Sequence, residues 1–209
     1  MSFRTLMALA AEYDLELDQM DAINAFVNCP LEEEEVVFMK MPPGFERRGK
    51  VLRLRKALYG LRRSPLLWQQ HLTASLEKIG FKTVPQEPCV MMKGAVIVFF
   101  YVDDIIWAYR KRDQQVATEA ISGLQQRYKM SILGEPKWFL GIRILRHRPS
   151  RTIWLTQDAY IDKIAHKYVP DKLGIKPPST PMATNEELVS EPIQARDQDK
   201  HSYLQKSPD

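Results

Sequence analysis

The sequence predicts an α+β fold, an antiparallel sheet backed by helices, and three observations lead there. Gly94-Ala95-Val96-Ile97-Val98-Phe99-Phe100 and Ile105-Ile106-Trp107-Ala108-Tyr109 are short β-branched and aromatic runs, the mark of two buried strands. Tyr101-Val102-Asp103-Asp104 stands between them, so the Asp pair falls at the tight turn joining the strands. Residues 64–79 and 113–128 instead carry their apolar side chains at helical spacing.

In chain order, Phe3, Leu6, Met7 and Ala10 share one face of a first helix capped by Ser2. This apolar start is too short for a signal peptide, and Glu12 and Asp14 follow it at once. Leu15 and Leu17 alternate with Asp14, Glu16 and Asp18, as in a half-buried strand running to Met20-Asp21. Asp21-Ala22-Ile23-Asn24-Ala25-Phe26 then sets small residues around one carboxylate and one aromatic ring. Glu32 to Glu35 read as a solvated acidic turn, and Val36-Val37-Phe38-Met39 as a strand stopped by Pro42-Pro43-Gly44.

The most basic stretch comes next: Lys50, Arg53, Arg55, Lys56, Arg62 and Arg63, with Tyr59 and Trp68 interleaved. That mixture suits phosphate contacts with stacking, and equally a solvated face. Ser64-Pro65 starts the second helix as N-cap and first-turn proline, Trp68, Leu72, Leu76 and Ile79 form its buried stripe, and Gly80 ends it. Asp113 caps a third helix whose Val116, Ala120, Leu124 and Tyr128 share a face. After a break at Gly134-Glu135-Pro136, residues 138–144 and 152–155 form a hairpin around Pro149-Ser150, and Thr156 caps a last helix carrying Tyr160, Ile161, Ile164 and Tyr168. From about Pro177 the composition turns to Pro, Ser, Thr and charge, which predicts a flexible segment over 177–209.

Composition narrows the function. A chain of 209 residues with 44% hydrophobic and 27% charged residues is ordinary for a globular protein and can bury one substantial core. Its formal charge of +4 leans toward a polyanionic partner. Cys29 and Cys89 lie outside any CxxC or Cys/His framework, which argues against structural zinc and for a reducing compartment. Asp103 and Asp104 interrupt the longest apolar stretch, so nothing in it can span a bilayer.

Two adjacent anions in an apolar hairpin repel each other and lose hydration. A divalent cation compensates, and oxygen-only ligands suit magnesium or manganese. A solvated Asp-Asp turn satisfies the same stretch. Asp21 closes another strand and adds a third carboxylate if the strands are neighbours. Three carboxylates on strand ends are what two-metal phosphoryl transfer needs, one metal activating a hydroxyl and the other stabilising the leaving pyrophosphate.

Five stretches carry a family resemblance. They are Gln19-Met20-Asp21-Ala22-Ile23-Asn24-Ala25-Phe26, Met41-Pro42-Pro43-Gly44-Phe45, Ala57-Leu58-Tyr59-Gly60-Leu61-Arg62-Arg63-Ser64-Pro65, Tyr101-Val102-Asp103-Asp104, and Leu133-Gly134-Glu135 through Trp138-Phe139-Leu140-Gly141-Ile142. In this order, over roughly residues 1–182, they resemble the reverse transcriptase of copia-type long-terminal-repeat retrotransposons.

The resemblance implies a polymerase palm with a partial thumb. It makes Asp21, Asp103 and Asp104 the catalytic carboxylates, holding two magnesium or manganese ions with the Ala22 carbonyl as a further ligand. Asn24 and Ala25 would lie beside the incoming deoxynucleoside triphosphate through backbone groups, and Phe26 would be the steric gate against a ribose 2′-hydroxyl. Tyr59, Gly60 and Arg62, within the Tyr59–Pro65 stretch, would contact the nucleotide and template strand, and residues 139–142 would match the primer-grip hairpin. Phe26 and residues 139–142 also read as plain core.

The implied partners are an RNA or DNA template with its primer, and no membrane. The implied setting is intracellular, cytoplasmic within a virus-like particle or nuclear. Departures from the family pattern are expectations too. The chain starts at the first palm helix, without the fingers strands, and stops where a connection toward a ribonuclease H domain would begin. Residues 1–176 would then be palm and partial thumb, residues 177–209 a linker, and polymerisation by this fragment weak or nil. The rivals are a non-catalytic remnant that at most binds nucleic acid, and an RNA-templated RNA polymerase palm, against which Phe26 as a gate argues.

Overall fold

A computed structural model of the chain describes residues 2–32 and 34–168. Helix α1 (Ser2–Glu12) buries Phe3, Leu6, Met7 and Ala10, the stripe its spacing predicts. Strand β1 (Glu16–Ala22) follows, then a short 3-10 turn (Ala25–Asn28). Strands β2 (Phe38–Met39) and β3 (Leu52–Arg53) form a small ribbon of their own. The expected strand from Val36 is therefore shorter than its apolar run, and Val36 and Phe38 are exposed.

Helix α2 (Ser64–Lys78) leads to β4 (Lys82–Val84), β5 (Glu87–Lys93), β6 (Val96–Tyr101) and β7 (Asp104–Tyr109). Then come α3 (Gln114–Gln125), β8 (Met130–Gly134), β9 (Trp138–Phe139), β10 (Ile142–His147), β11 (Thr152–Thr156) and α4 (Asp158–Tyr168). The main sheet has the order β4-β5-β6-β7-β1-β8, and a second sheet has the order β11-β10-β9. Their pairings are antiparallel throughout, as the sequence predicts.

Side chains alternate between the two faces of the main sheet. Met20, Ala22, Val98, Phe100, Ile105 and Trp107 join one core cluster with Trp68, Leu72 and Leu76 of α2 and Ala117, Ala120 and Leu124 of α3. Leu17, Phe99, Ile106 and Ala108 join the other, with α1 and with Phe139 and Ile144 of the second sheet. The predicted helical backing is thus α2 and α3, while α1 and β9–β11 cover part of the opposite face.

Several local expectations need correction. Ser64 does not cap α2: it is buried, and its hydroxyl donates to the Leu58 carbonyl at 2.7 Å while accepting from the Leu58 amide. Arg63 holds the N-cap position without a side-chain bond, and Asp113 likewise precedes α3 without one. A serine hydroxyl bonded to the preceding loop is no longer free to accept from the helix's first turn. Gly80 does end α2, at φ 92°, with Gly80 N–H on the Glu77 carbonyl and Phe81 N–H on the Leu76 carbonyl, the paired bonds of a Schellman close. Helix α4 forms but buries no side chain, and Thr156 donates to the Asp158 carboxylate at 2.9 Å.

The described residues through Lys163 make up one compact unit, which the end of α4 from Ile164 falls outside. The expected boundary at 176/177 and the segment 177–209 lie outside the described residues. No helix among the described residues is long and apolar enough to cross a membrane.

Candidate active site

Register brings the acidic residues together. In the β1–β7 ladder Asp21 pairs directly with Asp104, and in the β6–β7 ladder Asp104 pairs with Tyr101. Asp103 and Val102 form the turn between β6 and β7, and the Ala22 amide donates to the Asp103 carbonyl at 2.9 Å. Asp21 and Asp104 share their strand parity with Leu17 and Ile106, so they extend the face that α1 covers rather than the one backed by α2 and α3.

The electrostatics follow from this crowding. Burial first, then the negative charges of Asp103 and Asp104, push the Asp21 carboxyl above its ordinary value. Burial also pushes Asp104 up; the hydrogen bond from Gln19 opposes it, and the charge of Asp103 adds to the rise. Gln19 is itself nearly buried, and its Nε2 donates to Asp104 Oδ1 at 3.3 Å. The Tyr59 hydroxyl stands 3.5 Å from Asp103 Oδ2, its proton held more tightly through burial, through Asp103 and through Asp21. Its ring packs against Phe26, with centroids 4.4 Å apart.

Asn24 takes the left-handed conformation at φ 54° and remains exposed, turning the chain so that Ala25 and Phe26 drop into the core. Asparagine is among the few side chains that tolerate this region. The structure thereby gathers Asp21, Ala22, Asn24, Ala25, Phe26, Tyr59, Asp103 and Asp104 around one end of the sheet. Gly60, at φ 96°, and Arg62 follow Tyr59 on the surface, and Arg62 lines a cavity of about 350 Å³ beside Tyr101 and Val102.

The basic side chains of the stretch are all exposed, and one of them is paired. Arg63 is paired with Glu35 at 3.0 Å and Glu32 at 3.3 Å, so the largely exposed acidic turn, closed by the Glu35 amide on the Glu32 carbonyl, also supplies its counter-ions. Trp68 is fully buried and offers no stacking surface. Its indole N–H donates instead to the Val102 carbonyl at 2.5 Å. Sequence reasoning missed Gln19 and Trp68 as neighbours of the carboxylates. The first had a signal, because two residues along a strand return to the same face as Asp21.

The oxygen-only donor set and its crowded charges fit a hard divalent cation. Among the described residues no three acidic, His or Cys side chains are placed to ligate a common ion; Gln19 engages Asp104, and Tyr59 stands beside Asp103. Residues 1–183 match the family described as reverse transcriptase (RNA-dependent DNA polymerase). The retrovirus-related Pol polyprotein from transposon TNT 1-94 of Nicotiana tabacum is 34% identical over 87% of this chain and 14% of its own length. The corresponding protein from transposon RE2 of Arabidopsis thaliana is 32% identical over 90% and 13%. A transposon Ty5-1 protein of Saccharomyces cerevisiae is 34% identical over 70% of this chain and 48% of its own length. The chain therefore spans about a seventh of the first of these polyproteins.

Proposed function

The chain belongs to the reverse transcriptase family found in the Pol polyproteins of copia-type transposons, and from that premise we propose that it forms a polymerase palm for RNA-directed DNA synthesis. The observation that carries this is the Asp21–Asp104 pair with Asp103 in the adjoining turn. Their mutual repulsion would be relieved by positive charge.

Asp21, Asp103 and Asp104, with the Ala22 carbonyl, would hold two magnesium or manganese ions. When bound, these would supply an activated primer hydroxyl and charge stabilisation for the leaving pyrophosphate. The rest falls to the chain. Backbone groups of Asn24 and Ala25 would line the triphosphate, and the Phe26 ring, braced by Tyr59, would stand against a 2′-hydroxyl. Exposed Tyr59, Gly60 and Arg62 would meet nucleotide and template; Arg62 is the better phosphate ligand, because Arg63 is already paired. Residues 139–142 would grip the primer, with Leu140 and Gly141 at positive φ forming the tip between β9 and β10. Helix α4 would open the thumb. The partners are a primed template and deoxynucleoside triphosphates.

The test is primer extension on poly(rA)/oligo(dT) with magnesium or manganese, beside thermal melting. Metal should raise the melting temperature, because a ligand that binds only the folded state stabilises it. Asp103→Asn should remove most of that rise and all incorporation. A metal response and incorporation indifferent to Asp103→Asn would overturn the reading.

A further inference from the structure

Val102 is β-branched, yet it takes φ 55° at the first position of the two-residue turn that presents Asp103. Glycine is the ordinary occupant of such a position. A valine persists there only where its surroundings over-determine the backbone. The surroundings are specific. Trp68, fully buried on α2, donates its indole N–H to the Val102 carbonyl at 2.5 Å. The indole is held in turn by the Tyr128 ring, edge-on at 5.2 Å, whose hydroxyl bonds Ser75 at 2.6 Å and His71 at 2.9 Å. On the other side of Asp103, its own carbonyl accepts the Ala22 amide at 2.9 Å.

These two carbonyls belong to the two peptide planes that flank the Asp103 Cα. Peptide groups are rigid planes, so anchoring both fixes the backbone dihedrals between them and the direction of the Cα–Cβ bond. One anchor comes from the strand that carries Asp21, the other from the helix behind the sheet. We propose that Trp68 is a positioning residue of the carboxylate site: its indole N–H holds Val102 in the left-handed conformation and thereby fixes the direction in which Asp103 leaves the turn beside the strand end that carries Asp21. This rests on the reading of Asp21, Asp103 and Asp104 as a metal site.

The test measures manganese binding to the full chain by calorimetry, in wild type, Asp103→Asn, Trp68→Phe and the double variant Trp68→Phe/Val102→Gly. Trp68→Phe keeps an aromatic ring and removes the donor. It should weaken manganese binding roughly tenfold, the worth of one hydrogen bond to a part-buried acceptor. Adding Val102→Gly should recover most of that loss, because glycine takes φ 55° without a side-chain penalty. A role in packing alone would not be repaired at Val102, so unrecovered affinity overturns the proposal. Wild-type affinity in Trp68→Phe overturns it as well, while Asp103→Asn still abolishing binding would leave the metal-site reading standing. Binding that Asp103→Asn leaves intact overturns both. Where Trp68→Phe does not fold, the Trp68 indole proton of the wild type is followed by NMR during a magnesium titration. It should shift with the midpoint of the metal-induced rise in melting temperature, and a resonance that stays fixed overturns the proposal.

Discussion

Met20, Ala22, Ile105 and Trp107 turn toward α2 and α3, while their strand neighbours Gln19, Asp21, Asp104 and Ile106 turn the other way. On the first face the apolar contacts continue to the end of the strands, with Trp68, Leu72, Leu76, Ile105 and Trp107 all fully buried. On the second face the core is apolar only from Phe99 and Ile106 to Phe3, Met7 and Phe139, and the same registers then turn polar. Charged groups lose less hydration where no layer covers them, and they can be aimed only if the layer behind them is firm. The contrast teaches a division of labour: one face supplies cohesion, and the other gives up part of its core to present carboxylates.

The largest expected effect tests that cohesion. Trp107→Ala should cost about 4 kcal/mol, since the indole is fully buried, meets Phe81 edge-on at 5.8 Å and donates to Met20 Sδ. Phe139→Ala on the opposite face should cost about 3 kcal/mol, because β9 is a two-residue edge strand around which water can re-enter. Urea denaturation measures both, and a reversed order would break the comparison.

A smaller effect concerns what fastens the second face. Arg146, its side chain 8% exposed, reaches Asp14 at 2.9 Å and the Ala10 carbonyl at 3.3 Å, and Arg148 reaches Asp14 at 3.1 Å and Glu16. These ion pairs tie the second sheet to the end of α1 and the start of β1. Arg146→Ala should cost about 1–2 kcal/mol, with the difference from wild type shrinking in high salt because the acidic partners are half exposed. Loss of stability that salt does not alter would point to packing of the arginine stem instead.

The smallest effect carries a sign. Burial and like charge raise the Asp21 carboxyl above its ordinary value of 3.8 in the folded chain. A raised value means that the folded state holds its proton more tightly. The associated stability is therefore fully present below pH 3.8 and lost as pH climbs through the raised value. With a chelator present, Asp21→Asn should match wild type in acid and exceed it near neutrality, by on the order of half a kilocalorie per mole once screening by water is allowed for. Melting curves across pH test this. A variant less stable than wild type at neutral pH would mean that the ionised Asp21 has a stabilising partner.

The sequence alone carried the periodic and the chemical. Helices α2 and α3 (the second ending at Gln125, short of the expected Tyr128), the β6–β7 hairpin and the hairpin at Pro149-Ser150 follow from spacing and turn chemistry within short windows. The same local information located three aspartates at strand ends, and motifs in order named the family. Tertiary structure decided the partners. Gln19 meets Asp104 across 85 residues, Trp68 meets Val102 across 34, and Arg63 finds Glu35 across 28. Which side chains meet at such separations depends on strand register and helix placement, set by the whole core rather than by any window of sequence. Hence Ser64, read locally as a cap, is a loop anchor; Trp68, read both as a stacking ring and as part of the buried stripe, is buried and donates to Val102; and Arg63, read as a phosphate contact or a solvated charge, is one side of an ion pair.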